Sequence, residues 1–141
     1  MTERTQEWAE RVGREAVALG MPWQIGMTEL FTGLTVVDFS RNGAPLFAGD
    51  ANEGFQRLEN PLTDFRDRLT ELAAVAWVED VAREVYGEGF EALRPIIRDG
   101  SNIMSVSYFN SNRAQVTSSF RMCDTLAEAC IAAVRAMKGG E

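Results

Sequence analysis

Carboxylates are the side chains of this sequence best placed to do chemistry. Asp and Glu number 21, against 14 Lys and Arg and no histidine. The missing imidazole removes the usual general base near neutral pH and the commonest transition-metal ligand. Ser-His-Asp and Cys-His catalysis are thereby excluded within the chain. The two cysteines, Cys123 and Cys130, stand seven positions apart. On one regular helix that spacing separates them by about 10.5 Å along the axis, at ~1.5 Å per residue, too far for a disulfide. It fits no zinc motif either. Cys130 reads as a small core residue and Cys123 as the residue just ahead of a helix, so no metal and no cofactor is expected.

What the carboxylates can do depends on where they converge. Asp38 falls on a strand candidate, and Asp50 and Glu53 fall on a loop. A glycosidase-like pair needs two carboxyl groups about 5–9.5 Å apart in a cleft. The plainer reading is solvated surface acid. Asp80, Glu84, Glu88 and Glu91 recur at i, i+4, i+8 and i+11, with Glu79 beside them and Arg83 interrupting. If the helix persists past Gly87, they form an acidic stripe. Such a stripe is either a solvated helix face or an electronegative surface that docks into a basic groove. Arg94, Arg98 and Tyr108 are the residues expected to line a pocket for an anionic small ligand, should one open between sheet and helices. Trp23 and Phe31 read as core aromatics, with exposed binding anchors as the alternative. Gly87-Glu88-Gly89 lacks the third glycine and the preceding strand of a dinucleotide fingerprint and reads as helix termination.

The elements that must position these residues follow from periodicity. Trp8, Val12, Ala16 and Leu19 mark a helix over about 5–19, stopped by Gly20 and Pro22. Residues 27–32 are a weak strand candidate, and 34–39 a stronger one rich in β-branched residues. Asn42-Gly43 signals a hairpin whose return strand is 44–48, with Pro45 placing it at an edge. Residues 49–62 read as a loop in which Phe55, Leu58 and Leu62 call for burial. The longest helix is expected from Thr63 or Asp64 to Tyr86. Its apolar face is Phe65, Leu69, Leu72 and Ala76, continued on a rotated stripe by Val78, Val81, Ala82 and Val85. That drift implies curvature or a break near Ala76. Phe90 to Ile97 reads as a further helical turn ended by Pro95. Alternation over 103–109 and 113–122 around Asn110-Ser111-Asn112 predicts a second hairpin. Thr125 and Glu128 form a capping box for a closing helix to Met137.

The expected fold is α+β: an antiparallel sheet built from two β-hairpins, with three main helices packed on it, in the order helix, hairpin, helix, hairpin, helix. At 141 residues a single domain spanning 1–141 is expected. The net charge of −7 is concentrated between residues 21 and 99, and no basic patch is evident, so no direct nucleic-acid binding is expected. No apolar run is long enough for a membrane span, and the charged N-terminus lacks a secretory signal, so the expected location is cytoplasmic.

Leu62-Thr63-Asp64, a helix ending Arg83-Glu84-Val85-Tyr86-Gly87, a polar hairpin and the closing helix Thr125–Met137 together resemble a group of phage-encoded proteins that includes the phage ABA-sandwich domain. The stretch from Gly20 through Pro22, Trp23 and Gly26 to Met27 is similar to an opening in the same kind of protein. The resemblance spans about residues 20–138 and implies a viral origin, hence a host cytoplasm, and brings no catalytic residues with it. Together with the charge and the missing imidazole it leads to one expectation. The protein is a non-enzymatic binding protein that associates stoichiometrically with a host protein, plausibly as an inhibitor of a nucleic-acid-handling defence complex, through Glu79, Asp80, Glu84, Glu88 and Glu91. The alternative is a domain that binds or sequesters a small anionic ligand.

Overall fold

The computed structural model describes residues 4–49 and 54–139. The architecture is α+β, in the order helix, hairpin, helix, hairpin, helix. The described residues fall into two compact units that divide between Ala73 and Ala74, inside the central helix.

In the first unit, α1 (Gln6–Ala18) buries Trp8, Ala9, Val12 and Ala16 on one face. The hydroxyl of Thr5 caps its start, accepting from the Trp8 N–H at 3.1 Å. Its end closes as a Schellman motif: the Gly20 N–H donates to the Val17 carbonyl and the Met21 N–H to that of Ala16. Strands β1 (Thr35–Phe39) and β2 (Pro45–Ala48) form an antiparallel pair in which Val36 faces Phe47, both fully buried. Residues 27–32 are not a strand. Single bridges tie Thr28 to Thr35 and Glu29 to Thr63, and the Glu29 side chain then takes the N–H groups of Phe31 and Thr32, which turns the chain away. Leu62 is buried as its type requires, but Phe55 is 67% exposed. The backbone of Gln56 pairs with Phe47, and Phe47 fills the core position instead.

The central helix, α2 (Arg68–Tyr86), begins later than its periodicity suggests. Thr63 and Asp64 are held in extended backbone pairing with Glu29 and Thr28. Asp67 supplies the cap, its Oδ2 accepting from the Thr70 N–H at 3.1 Å. The helix is unbroken at Ala76, and its buried stripe is Thr70, Ala74, Trp77, Val78, Val81 and Ala82. Leu69, Leu72, Ala76 and Val85, expected on the apolar face, are exposed. The leucines of this helix are not its core markers: Trp77, Val78, Val81, Ala74, Ala82 and Thr70 occupy the packed side.

In the second unit, α2 leads through a 3₁₀ turn (Gly87–Gly89) into a three-stranded antiparallel sheet of order β3 (Phe90–Arg98), β4 (Ser101–Phe109), β5 (Gln115–Ser119). The stretch 90–97, expected as a helical turn, is therefore a strand. Pro95 is tolerated because β3 is an edge strand. The strands thus divide between two sheets, of two and three strands, rather than joining in one. On β4, Ile103 to Val106 are all buried. β5 ends at Ser119, short of the expected Met122, which is exposed. The closing helix α3 (Leu126–Gly139) packs on β4 and buries Ala129, Cys130, Ala133 and Val134. Thr125 caps its start: the Glu128 N–H donates to Thr125 Oγ1 at 3.2 Å, and that hydroxyl donates to Glu128 Oε1 at 2.8 Å. Cys130 is buried and Cys123 half-buried, and neither forms a disulfide.

Candidate functional site

The acidic candidates lie in the second unit, on three different elements. Glu79, Asp80 and Glu84 are on α2, Glu88 is in the 3₁₀ turn, and Glu91 is on β3. The helix ends at Tyr86, as Gly87 predicts, so the condition for a continuous acidic stripe is not met. Gly87 takes φ +59°, a backbone state that ends the helix. Gly89 then passes so close to β4 that a Cβ there would stand 2.4 Å from the Phe109 carbonyl oxygen. The i+8 and i+11 positions are consequently not on a helix face. Glu91 instead accepts from the Gln115 side chain across the sheet.

Asp80, Glu84 and Glu88 are exposed, and no hydrogen bond or ion pair engages their carboxylates among the described residues. Glu79 is partly covered and lies 3.7 Å from the Arg83 guanidinium. Arg83 is in turn held over the Phe90 ring, 4.8 Å from its centroid. One helical turn on, the Tyr86 ring stacks on Tyr108, with centroids 4.0 Å apart and planes 16° from parallel. Burial first, and then the neighbouring Tyr108, push the Tyr86 hydroxyl above its ordinary titration range. The cation that interrupts the acidic sequence is thus fixed to Glu79 and an aromatic ring. Asp80, Glu84 and Glu88 are left exposed, with no ion pair among the described residues.

Arg94, Arg98 and Tyr108 do not converge. Arg94 pairs with Ser105 and Arg98 with Ser101, so both project from the face of β4's odd-numbered residues. Tyr108 pairs with Phe90 and Val116 on the opposite face, with Met104 and Val106. Both arginines are exposed.

In the first unit the carboxylates are differently employed. Glu29 is 2% exposed. Its Oε1 accepts from the N–H groups of Phe31 (3.1 Å) and Thr32 (2.9 Å) and from the Thr32 hydroxyl (2.9 Å). Its Oε2 accepts from the Leu62 N–H at 3.0 Å. Glu71, 1% exposed, is gripped by Arg4 at 2.9 Å and Arg68 at 3.4 Å. Asp64 takes a two-pronged contact from Arg66, with both oxygens at 3.0 Å, and this raises the Arg66 pKa. These acids were not singled out from sequence. The available signal was local: Glu29 with a threonine three positions on, and Asp64 two before an arginine. Their burial depends on partners distant in sequence, such as Leu62 for Glu29 and Arg4 for Glu71.

Of the three carboxylates that could supply a catalytic pair, Asp38 is exposed on β1 and accepts from the Phe39 N–H, while Asp50 and Glu53 lie outside the described residues. Trp23 packs edge-on against Phe47, with ring centroids 5.2 Å apart, as a core aromatic would. Phe31 is 56% exposed, because Glu29 holds its N–H at the point where the chain turns outward. Also exposed in this unit are Ile25 (66%) and Leu69 (59%). Among the described residues no three Cys, Asp or Glu gather as a metal site needs, and no helix is long and apolar enough to cross a membrane.

Comparison with protein-family models, with curated proteins and with solved structures finds no match to this chain.

Proposed function

We propose that the protein works by stoichiometric, non-covalent association with a basic surface on another protein. The observation that supports this is the set of exposed, internally unpartnered carboxylates at Asp80, Glu84 and Glu88. Charges without counter-ions in the chain are the ones whose field reaches solvent, where it steers a partner of opposite sign and speeds encounter. With a net charge of −7 the rest of the molecule reinforces that field. The narrower form of the proposal is that the partner handles nucleic acid in a host defence complex and is blocked by a virus-derived protein. A groove that holds a phosphate backbone is basic, and an acidic protein surface competes for it.

The test is affinity capture from bacterial lysate with the tagged protein and with an Asp80→Lys, Glu84→Lys, Glu88→Lys variant. A partner recovered near one-to-one, released by raised salt and absent from the variant, is the expected result. No partner at that ratio, or one retained by the charge-reversed protein, overturns the proposal. Displacement of nucleic acid from the purified partner then tests the narrower form.

A further inference from the structure

A cleft of about 310 Å³ opens in the second unit between the end of β5 and α3. Ser119, Phe120 and Arg121 line one side and Ala132, Arg135 and Ala136 the other. The alanines and Arg135 fall at i, i+3 and i+4, one face of α3. Phe120 is held in place by its N–H, which donates to the Met104 carbonyl at 3.0 Å. The cleft therefore offers a small-residue wall, an aromatic residue and a hydroxyl, flanked by two guanidinium groups.

What sets Arg121 and Arg135 apart is that both line one cleft, and no carboxylate pairs with either among the described residues. Arginines around an apolar cleft, with no internal anion, present planar donor forks suited to a carboxylate or phosphate from outside. The volume sits at the bottom of the ~300–1,000 Å³ range of ligand pockets, so the occupant is small. The polarity of α3 sharpens the inference. The cleft lies toward the helix C-terminal half, whose dipole disfavours an anion. Attraction must therefore come from the two side chains, which substitution can remove one at a time.

We propose that this cleft binds a small amphiphilic anion, a carboxylate or phosphate ester with a compact apolar group, between Arg121 and Arg135. The site involves neither the acidic face of α2 nor Arg94 and Arg98, so it stands or falls separately from the association proposed above.

The experiment is a titration of the ¹⁵N-labelled full chain with hexanoate, with inorganic phosphate, and with hexanol as the uncharged control, read by amide and arginine Nε chemical shifts. Hexanoate is expected to give saturable shifts at Ser119–Arg121 and along 132–136. Phosphate is expected to move the same signals with a weaker midpoint, because it lacks the apolar part, and hexanol to leave them unmoved. Both arginines are exposed, so Arg121→Gln and Arg135→Gln should keep the wild-type amide spectrum elsewhere. Each should raise the hexanoate midpoint about tenfold, the loss of one charge-assisted hydrogen bond. If phosphate binds more tightly than hexanoate, the ligand class narrows to phosphate esters and the site stands. No saturable shift from either anion, an equal response to hexanol, or a midpoint indifferent to both substitutions overturns the site.

Discussion

The two units use the same residue types to opposite ends. In residues 4–73 the buried carboxylates are closed into networks: Glu29 with three backbone N–H groups and a hydroxyl, Glu71 with two arginines, Asp64 with Arg66. Even on the exposed side of α1, Arg14 pairs with Glu10 at 2.7 Å and Arg11 with Glu15 at 3.8 Å. In residues 74–139 Glu79 and Glu91 are engaged, but charge of both signs is also left open, as the acids Asp80, Glu84 and Glu88 and the arginines around the cleft at Phe120. A buried, saturated carboxylate holds a fold together, because withdrawing it leaves its donors orphaned. An exposed, unpartnered one contributes almost nothing to stability and is available for recognition. The composition alone, 21 acids in one chain, does not distinguish the two uses.

The largest effect that could break this comparison is at Glu29. Glu29→Leu removes the acceptor from the N–H groups of Phe31, Thr32 and Leu62. The Leu62 donor is buried and the other two are part-buried; at about 1–3 kcal/mol per orphaned buried donor, the loss should be about 2–3 kcal/mol. The same change at Glu84 should stay within about 0.5 kcal/mol, the range of surface substitutions away from structural features. Urea unfolding followed by tryptophan fluorescence measures both. Equal losses at the two positions would erase the distinction between closed and open charge.

A smaller effect sharpens the comparison at the level of backbone. Both units contain a hairpin with a three-residue loop closed the same way. The Ser40 N–H donates to the Ala44 carbonyl and the Gly43 N–H to that of Ser40, and the Asn110 N–H and Arg113 N–H repeat the pattern with Ala114 and Asn110. The last loop residue is left-handed in each, at φ +86° for Gly43 and +62° for Arg113. Glycine adopts that state without strain, whereas a side chain costs about 1–2 kcal/mol. Gly43→Ala should therefore destabilise by about 1 kcal/mol. Arg113→Gly should stabilise by about 0.5 kcal/mol, after the entropy of the freer unfolded glycine is set against the relief. Opposite shifts in thermal midpoint are the expected readout.

The same turns explain how much of the fold was legible. Element order, α1, the first hairpin and the Thr125 cap of α3 follow from patterns contained within a few residues, and each is found where those patterns place it. The two larger departures have different causes, one local and one long-range. Pro95 was weighed as a helix stop, while the stronger signal lay just beyond it: Asp99-Gly100, both left-handed, at φ +53° and +79°, form the tight turn that makes 90–98 a strand. The core face of α2 was assigned from its leucines, but Leu69 and Leu72 are exposed. Local sequence did not mark Thr70 and Glu71 as buried. Thr70 is covered because its hydroxyl accepts from the Thr28 N–H, and Glu71 because Arg4 reaches it, partners 42 and 67 residues away. Of the candidate site, the exposed acids on α2 were readable from spacing. The arginine cleft was not, because Arg121 and Arg135 come from different elements with no shared motif.

The smallest effect is a titration confined to one side of the comparison. The chain has two tyrosines, Tyr86 and Tyr108, and both lie in residues 74–139. Burial, and then Tyr108, raise the Tyr86 pKa above its ordinary value. A phenol whose folded pKa is raised is held neutral by the fold, so its stability contribution is complete below the ordinary value of about 10 and is lost as pH climbs through the folded value. Tyr108→Leu leaves Tyr86 as the single phenol, so the absorbance of tyrosinate reports it alone. Its midpoint should fall relative to the wild-type Tyr86 titration, because the repulsion from a second phenolate is gone, yet remain above the ordinary value, because burial is the larger cause. A midpoint at the ordinary value would mean that the stacked partner, and not burial beside α2, holds the proton on Tyr86.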